Sequence, residues 1–187
     1  SFNPSSTTFQ IFGSGFSTTA ADNTVTFSNG AVGTVRAALP NRLTVTLNTR
    51  PTAGVLTVVV RTNGVNSAST QVATVSPTVT SSTGRLSLNG TRLMIRGAGF
   101  DTTAANNTVV LSRGAVGTVT SASQTTLVVT LTTDPTSAGP LTAVVTTNGR
   151  SSGTAIPVAQ VVSDAPAPVV TRDVTVRAAN APSIVIT

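Results

Sequence analysis

The chain has 187 residues, 11 of them basic and five acidic, giving a net charge of +6, and it contains no Cys, His, Trp, Tyr, Lys or Glu. Those absences exclude a Ser-His-Asp or Cys-His pair, a Schiff-base lysine and a zinc site of the usual ligands within the chain. Charged residues make up 9% of the sequence, against about 25% in an ordinary globular protein, so solubility falls to hydroxyls and amides and no enzymatic activity is expected.

Thr and Val dominate what remains. Both are β-branched, lose side-chain freedom in a helix and pack well on a pleated surface, which predicts an all-β protein. No run approaches the ~18 to 20 apolar residues of a membrane-spanning helix, and a hydrophobic content of 39% argues against disorder. The arginines are dispersed from Arg36 to Arg177 with no Tyr or Trp among them for base stacking, so nucleic acid is not an expected partner. A start at Ser1, without Met or a leader, is expected of a processed chain, a fragment or only the ordered part of a chain.

In chain order, the first predicted strand covers residues 9–12 and runs into Gly13-Ser14-Gly15-Phe16. Further strands are predicted at 24–27, 33–36, 43–47, 56–62 and 71–75. Leu43, Val45 and Leu47 alternate with Thr44 and Thr46, the pattern of a half-buried strand. Asn63-Gly64 supplies the two positive-φ residues of a tight hairpin, expected to join the last two strands. The series then starts again. Gly97-Ala98-Gly99-Phe100 repeats Gly13 to Phe16 at an offset of 84, and roughly 24 of the 39 positions from Gly13 to Pro51 are identical at that offset. The second set of strands is predicted at 92–96, 108–111, 117–120, 127–131, 141–147 and 158–162, with Asn148-Gly149 as the repeated hairpin. Short strands at about 8 to 12 residue spacing are the signature of a β-sandwich.

The order Gly-x-Gly-Phe, a short polar loop, Asn-Thr-Val-x-Phe, an alternating Leu-Thr-Val-Thr-Leu strand, Pro-Thr-Ala-Gly, then a Val-rich strand ending in Asn-Gly resembles IPT/TIG immunoglobulin-like domains. The resemblance covers most of both repeats and implies two tandem Ig-like β-sandwiches. In bacteria it implies a piece of a large cell-surface or secreted protein.

The expected division is residues 1–76 and 77–163 as the two Ig-like domains, with 164–187 as a Pro/Ala linker and an extended strand segment. Ser76-Pro77-Thr78-Val79-Thr80 is expected to be the first strand of the second domain. Its counterpart would lie before Ser1, so the first domain is expected to lack a strand. The tail carries Val169, Val170, Val174, Val176, Ile184, Val185 and Ile186, strand-forming residues without a domain. Two readings stay open: the chain is cut from a longer array, or the tail is donated to the incomplete sandwich of a neighbouring copy, a contact that would propagate as a fibre.

Asp22 in the loop after Phe16, and Asp101 and Asn106 in its repeat, are weak calcium candidates; structural turns are the stronger expectation. Phe16 and Phe100 are expected to anchor the core. Asn89 and Asn106 head N-glycosylation patterns. No cofactor or metal is expected. The function expected is a structural subunit of an extracellular or cell-surface fibre, with copies of itself or neighbouring repeats as partners. The alternative is an adhesin-type module that binds a glycan or protein through loops 17–22 and 101–107.

Overall fold

The computed structural model describes residues 2–163. It is built almost wholly of strands, as the Thr/Val composition requires. The first repeat holds β1 (Thr8–Phe12), β2 (Asn23–Phe27), β3 (Val32–Leu39), β4 (Arg42–Thr49), β5 (Gly54–Thr62), β6 (Val65–Asn66) and β7 (Thr70–Val75). The second holds β8 (Thr78–Val79), β9 (Arg85–Ser87), β10 (Arg92–Ala98), β11 (Asn107–Leu111), β12 (Val116–Ala122), β13 (Thr126–Thr133), β14 (Gly139–Thr147), β15 (Arg150–Ser151) and β16 (Ile156–Val162). A single 3-10 turn precedes β2 and another precedes β11.

Four sheets result. In the first repeat, β1-β4-β3 faces β2-β5-β6, with β7 also on β5; in the second, β12-β13-β10-β8 faces β11-β14-β16-β9, with β15 also on β14. Alternation decides which side chains enter the space between them: Leu43, Val45 and Leu47 of β4 are buried, as are Leu127, Val129 and Leu131 of β13. Each repeat therefore has its own hydrophobic cluster, one around Leu43 and Leu56 and the other around Leu127 and Leu141.

The ladders superpose residue for residue. Ile11 lies opposite Leu43 as Ile95 lies opposite Leu127, and Val25 opposite Val60 as Val109 opposite Val145. The irregularities repeat as well, with register shifts between Val35 and Ala37 and between Val119 and Ser121. Two features differ from the sequence reading. Asn63-Gly64 and Asn148-Gly149 have positive φ at both residues, but each hairpin closes on a two-residue strand, β6 or β15, while β7 and β16 pair with the earlier part of β5 and β14. The short β9, absent from the predicted elements, pairs in parallel with β16.

Candidate assembly interface

The Gly-x-Gly-Phe turn is shaped by contacts specific to each glycine. Gly15 and Gly99 have φ of +76° and +78°, the left-handed region that glycine enters without steric cost. Gly13 is constrained differently: a Cβ there would lie 2.6 Å from Phe16 Cζ, and a Cβ at Gly97 would strike the Phe100 ring and the Thr78 carbonyl. The turn thus lays the Phe ring back over its own strand. Phe100 is fully buried, whereas Phe16 is only half-buried against its cluster.

The polar loop that follows is held by a buried amide that sequence reasoning missed. Asn107 Nδ2 donates to the carbonyls of Asp101 (2.8 Å) and Thr103 (3.0 Å), while its Oδ1 accepts from the Asp101 amide (3.1 Å) and the Thr147 hydroxyl (2.8 Å). Asn23 does the same with Ser17, Thr19 and Thr62. The available signal was the joint recurrence of Asn23 with Thr62 and of Asn107 with Thr147. Each candidate calcium-binding aspartate accepts a hydrogen bond from its own loop: Asp22 Oδ2 from Ser17 Oγ (2.9 Å), and Asp101 Oδ1 from the Thr103 amide (2.8 Å). Among the described residues no cluster of three acidic, His or Cys side chains forms. Asn106 is exposed beside the clasp.

The turns beside this loop meet the first repeat end to end. The Ala53 amide donates to the Gly99 carbonyl (2.8 Å), Asn148 Nδ2 donates to the Ala53 carbonyl (3.0 Å) and to Asp101 Oδ2 (3.1 Å), and Gln124 Nε2 donates to the Arg50 carbonyl (2.9 Å). Pro4, Pro51, Ala53, Pro77 and Gly99 are buried at this junction, and Gly99 sits where a Cβ would come within 3.0 Å of Pro4. Partial burial works against the charge on Asp101. Hydrogen bonds from the Thr103 amide and then from the Asn148, Asn106 and Thr103 side chains outweigh it and hold the carboxyl below the usual aspartate range.

The two repeats differ most beside β1. In the second repeat β10 is interior, flanked by β13 and by β8, which places Thr78 opposite Ala98 and Val79 opposite Gly97; the Thr80 amide donates to the Arg96 carbonyl at 2.8 Å. In the first repeat β1 is an edge. Two adjoining clefts of about 360 and 190 Å³ open there, sharing Ser14, Phe16, Val60 and Ser67 in their walls. Phe12 and Val65, on the rim, are each 72% exposed. The tail residues Val169, Val170, Val174, Val176, Ile184, Val185 and Ile186 lie outside the described residues.

Residues 75–159 match the family model described as IPT/TIG domain. The match runs from the last residue of β7 into β16 and so spans most of the second repeat. Among solved structures, the S-layer protein SbsC, domains 5-6, is similar at 14% identity over 84% of this chain and 89% of that chain, with a TM-score of 0.34. Surface layer protein SbsC, domains 4-9, is similar at 19% identity over 79% of this chain, with a TM-score of 0.29; the alignment spans 23% of that longer chain. No curated protein matches. Among the described residues no helix is long and apolar enough to cross a membrane. The matched residues include the loop 101–107, Gln124 and Asn148.

Proposed function

We propose that the chain is a structural subunit of an extracellular or cell-surface assembly, with residues 1–76 and 77–163 as Ig-like domains stacked end to end and 164–187 as a linker and strand segment. The observation that carries this reading is the junction. The second repeat receives Arg50 to Ala53 on its Gly99, Gln124 and Asn148 end, and the first repeat presents the homologous end, with Gly15, Pro40 and Asn63, at the extremity away from that contact. Asp134 to Ala138, the counterpart of Arg50 to Ala53, stands at the other extremity. A surface and its complement at opposite ends make a head-to-tail contact that propagates rather than closes.

The repeated contact would be weaker than the one inside the chain, because Pro40 replaces Gln124 and brings no side-chain donor, and Ser17 replaces Asp101. Residues of the tail are the natural source of added grip. The tests are sedimentation and electron microscopy of the purified full chain. Filaments whose axial repeat equals two domains are expected, and a monodisperse monomer at all concentrations overturns the proposal. The adhesin reading is less favoured because Asp101, at the start of loop 101–107, is bonded to Asn148 at the junction; saturable binding to a glycan panel that is lost on exchanging loop 17–22 would restore it.

A further inference from the structure

We propose that the cleft beside β1 is an acceptor site for Pro168–Thr171 of a second copy of this chain, bound as the strand that β8 supplies to β10. This rests on the end-to-end reading above and adds the identity and register of the segment that joins copies.

The second repeat contains the template. There Pro77-Thr78-Val79-Thr80 lies along the outer edge of β10, Val79 packs on the hydrophobic cluster, and Phe100 is closed off from solvent. Among the described residues the first repeat keeps the receiving features without the strand. Gly13 stands where Gly97 lets the backbone of β8 approach, and Phe16 waits half-buried where Phe100 is covered. The rim is adapted in the apolar sense: Phe12 and Val65 occupy the places of Arg96 and Arg150. A pair of aromatic and aliphatic side chains, each 72% exposed, replaces two cations at an edge that no described strand pairs. Unpaired edges with an apolar wall recruit strands.

The occupant is identified by sequence and by position in the chain. Ala167-Pro168-Val169-Val170-Thr171 reproduces Ser76-Pro77-Thr78-Val79-Thr80, with Pro, the second Val position and Thr coinciding. Both segments follow the last strand of a repeat. Val75 is paired to Gly54 at the junction end of the first repeat, and Val161 is paired to Gly139 at the free end of the second. The tail therefore departs from the end that the next copy would meet. One residue separates Val75 from Pro77 and six separate Val161 from Pro168, an excess of five that adds up to about 17 Å of extended reach. By the template, Val169 lies opposite Ser14, Val170 opposite Gly13, and the Thr171 amide donates to the Phe12 carbonyl.

The absence of native cysteine makes a register test direct. Opposed antiparallel residues lie about 4.5–5.5 Å apart, within disulfide range. Full-length Ser14→Cys and Val169→Cys chains of distinguishable mass are mixed under mild oxidation. The expected result is a mixed dimer, with yield at least tenfold above that of Ser14→Cys mixed with Val174→Cys. Val170→Asp, which places a charge against Gly13 and Phe16, is expected to abolish assembly while the circular dichroism of the monomer is unchanged.

Absence of the mixed disulfide overturns the proposal. So does a disulfide formed only within a single Ser14→Cys/Val169→Cys chain, which would mean the tail folds back on its own molecule, and so does a higher yield from Val174→Cys. If filaments still form with Val170→Asp, the end-to-end reading stands and the strand assignment fails. If the unsubstituted chain forms no filaments yet the register-specific dimer appears, the strand assignment stands and the fibre reading fails.

Discussion

Phe16 and Phe100 hold the same place in the two repeats, 84 residues apart, yet Phe100 is fully buried and Phe16 is half-buried. The difference traces to β8, whose backbone covers the edge beside Phe100. Truncating Phe100 to Ala removes a ring enclosed on all sides and is expected to cost about 3–5 kcal/mol. Phe16→Ala is expected to cost about 1–2 kcal/mol, because much of its transfer term is already lost to solvent. Urea titrations of the two variants check this; equal losses would contradict the difference in enclosure.

The buried amide clasp gives a second contrast. Asn107→Ala leaves the Thr147 hydroxyl, which is 0% exposed, and two loop carbonyls without their partner, at a cost of about 2–3 kcal/mol. Asn106→Ala, one residue away and exposed, should stay within about 0.5 kcal/mol of the parent. A loss at Asn106 as large as at Asn107 would show that the clasp is misassigned.

Asp101 links the junction to pH. Its carboxyl is held below the ordinary aspartate value, so the folded state favours its charged form. The stability it contributes is present above the unfolded value, about 3.9, and is lost as pH falls through the lower folded value. Acid titration of the parent should therefore loosen the Asn148 contact between repeats below about pH 4. Asp101→Asn is expected to flatten that part of the profile, as read from the Asn148 side-chain amide resonances. An unchanged profile in the variant would assign the dependence elsewhere.

At the junction itself, Gln124→Ala removes the donor to the Arg50 carbonyl and should cost about 0.5–1.5 kcal/mol of the coupling between repeats. Small-angle scattering is expected to show a broader distribution of inter-repeat angles, with neither repeat unfolded. A distribution indistinguishable from the parent would mean that the prolines and Gly99 alone set the angle.

Much of the strand framework was legible because it is written in period-two alternation: Leu43, Val45 and Leu47 alternate with Thr, and the side chains so marked are the buried ones. The offset of 84 carried that reading from one repeat to the other. Strand β9 escaped because three residues, Arg85 to Ser87, are too few to show a period, and their parallel partner is more than 70 positions away. Asn107 escaped because an Asn in a polar loop looks the same whether it caps a turn in water or fills a buried site. The junction left no local mark either, since Ala53, Gln124 and Asn148 meet only in the folded chain. Repetition by itself implies equal burial for Phe16 and Phe100. What separates them is a neighbouring strand, which no window around either residue contains.

The parallel pairing of β9 with β16 carries a mechanical consequence. Residues near the start and the finish of the second repeat lie side by side and point the same way, with Gln160 opposite Arg85 and Val162 opposite Ser87. Tension applied along the polypeptide loads those hydrogen bonds in shear, all at once, instead of unzipping them one by one. In the first repeat, among the described residues, the same clamp is a single bridge, Phe2 to Val75, with the Phe2 amide donating to the Thr74 carbonyl at 2.9 Å. Of the two clamps so described, the three-residue ladder of the second repeat is the one that resists tension more, and the Phe2–Val75 bridge is the one that yields first.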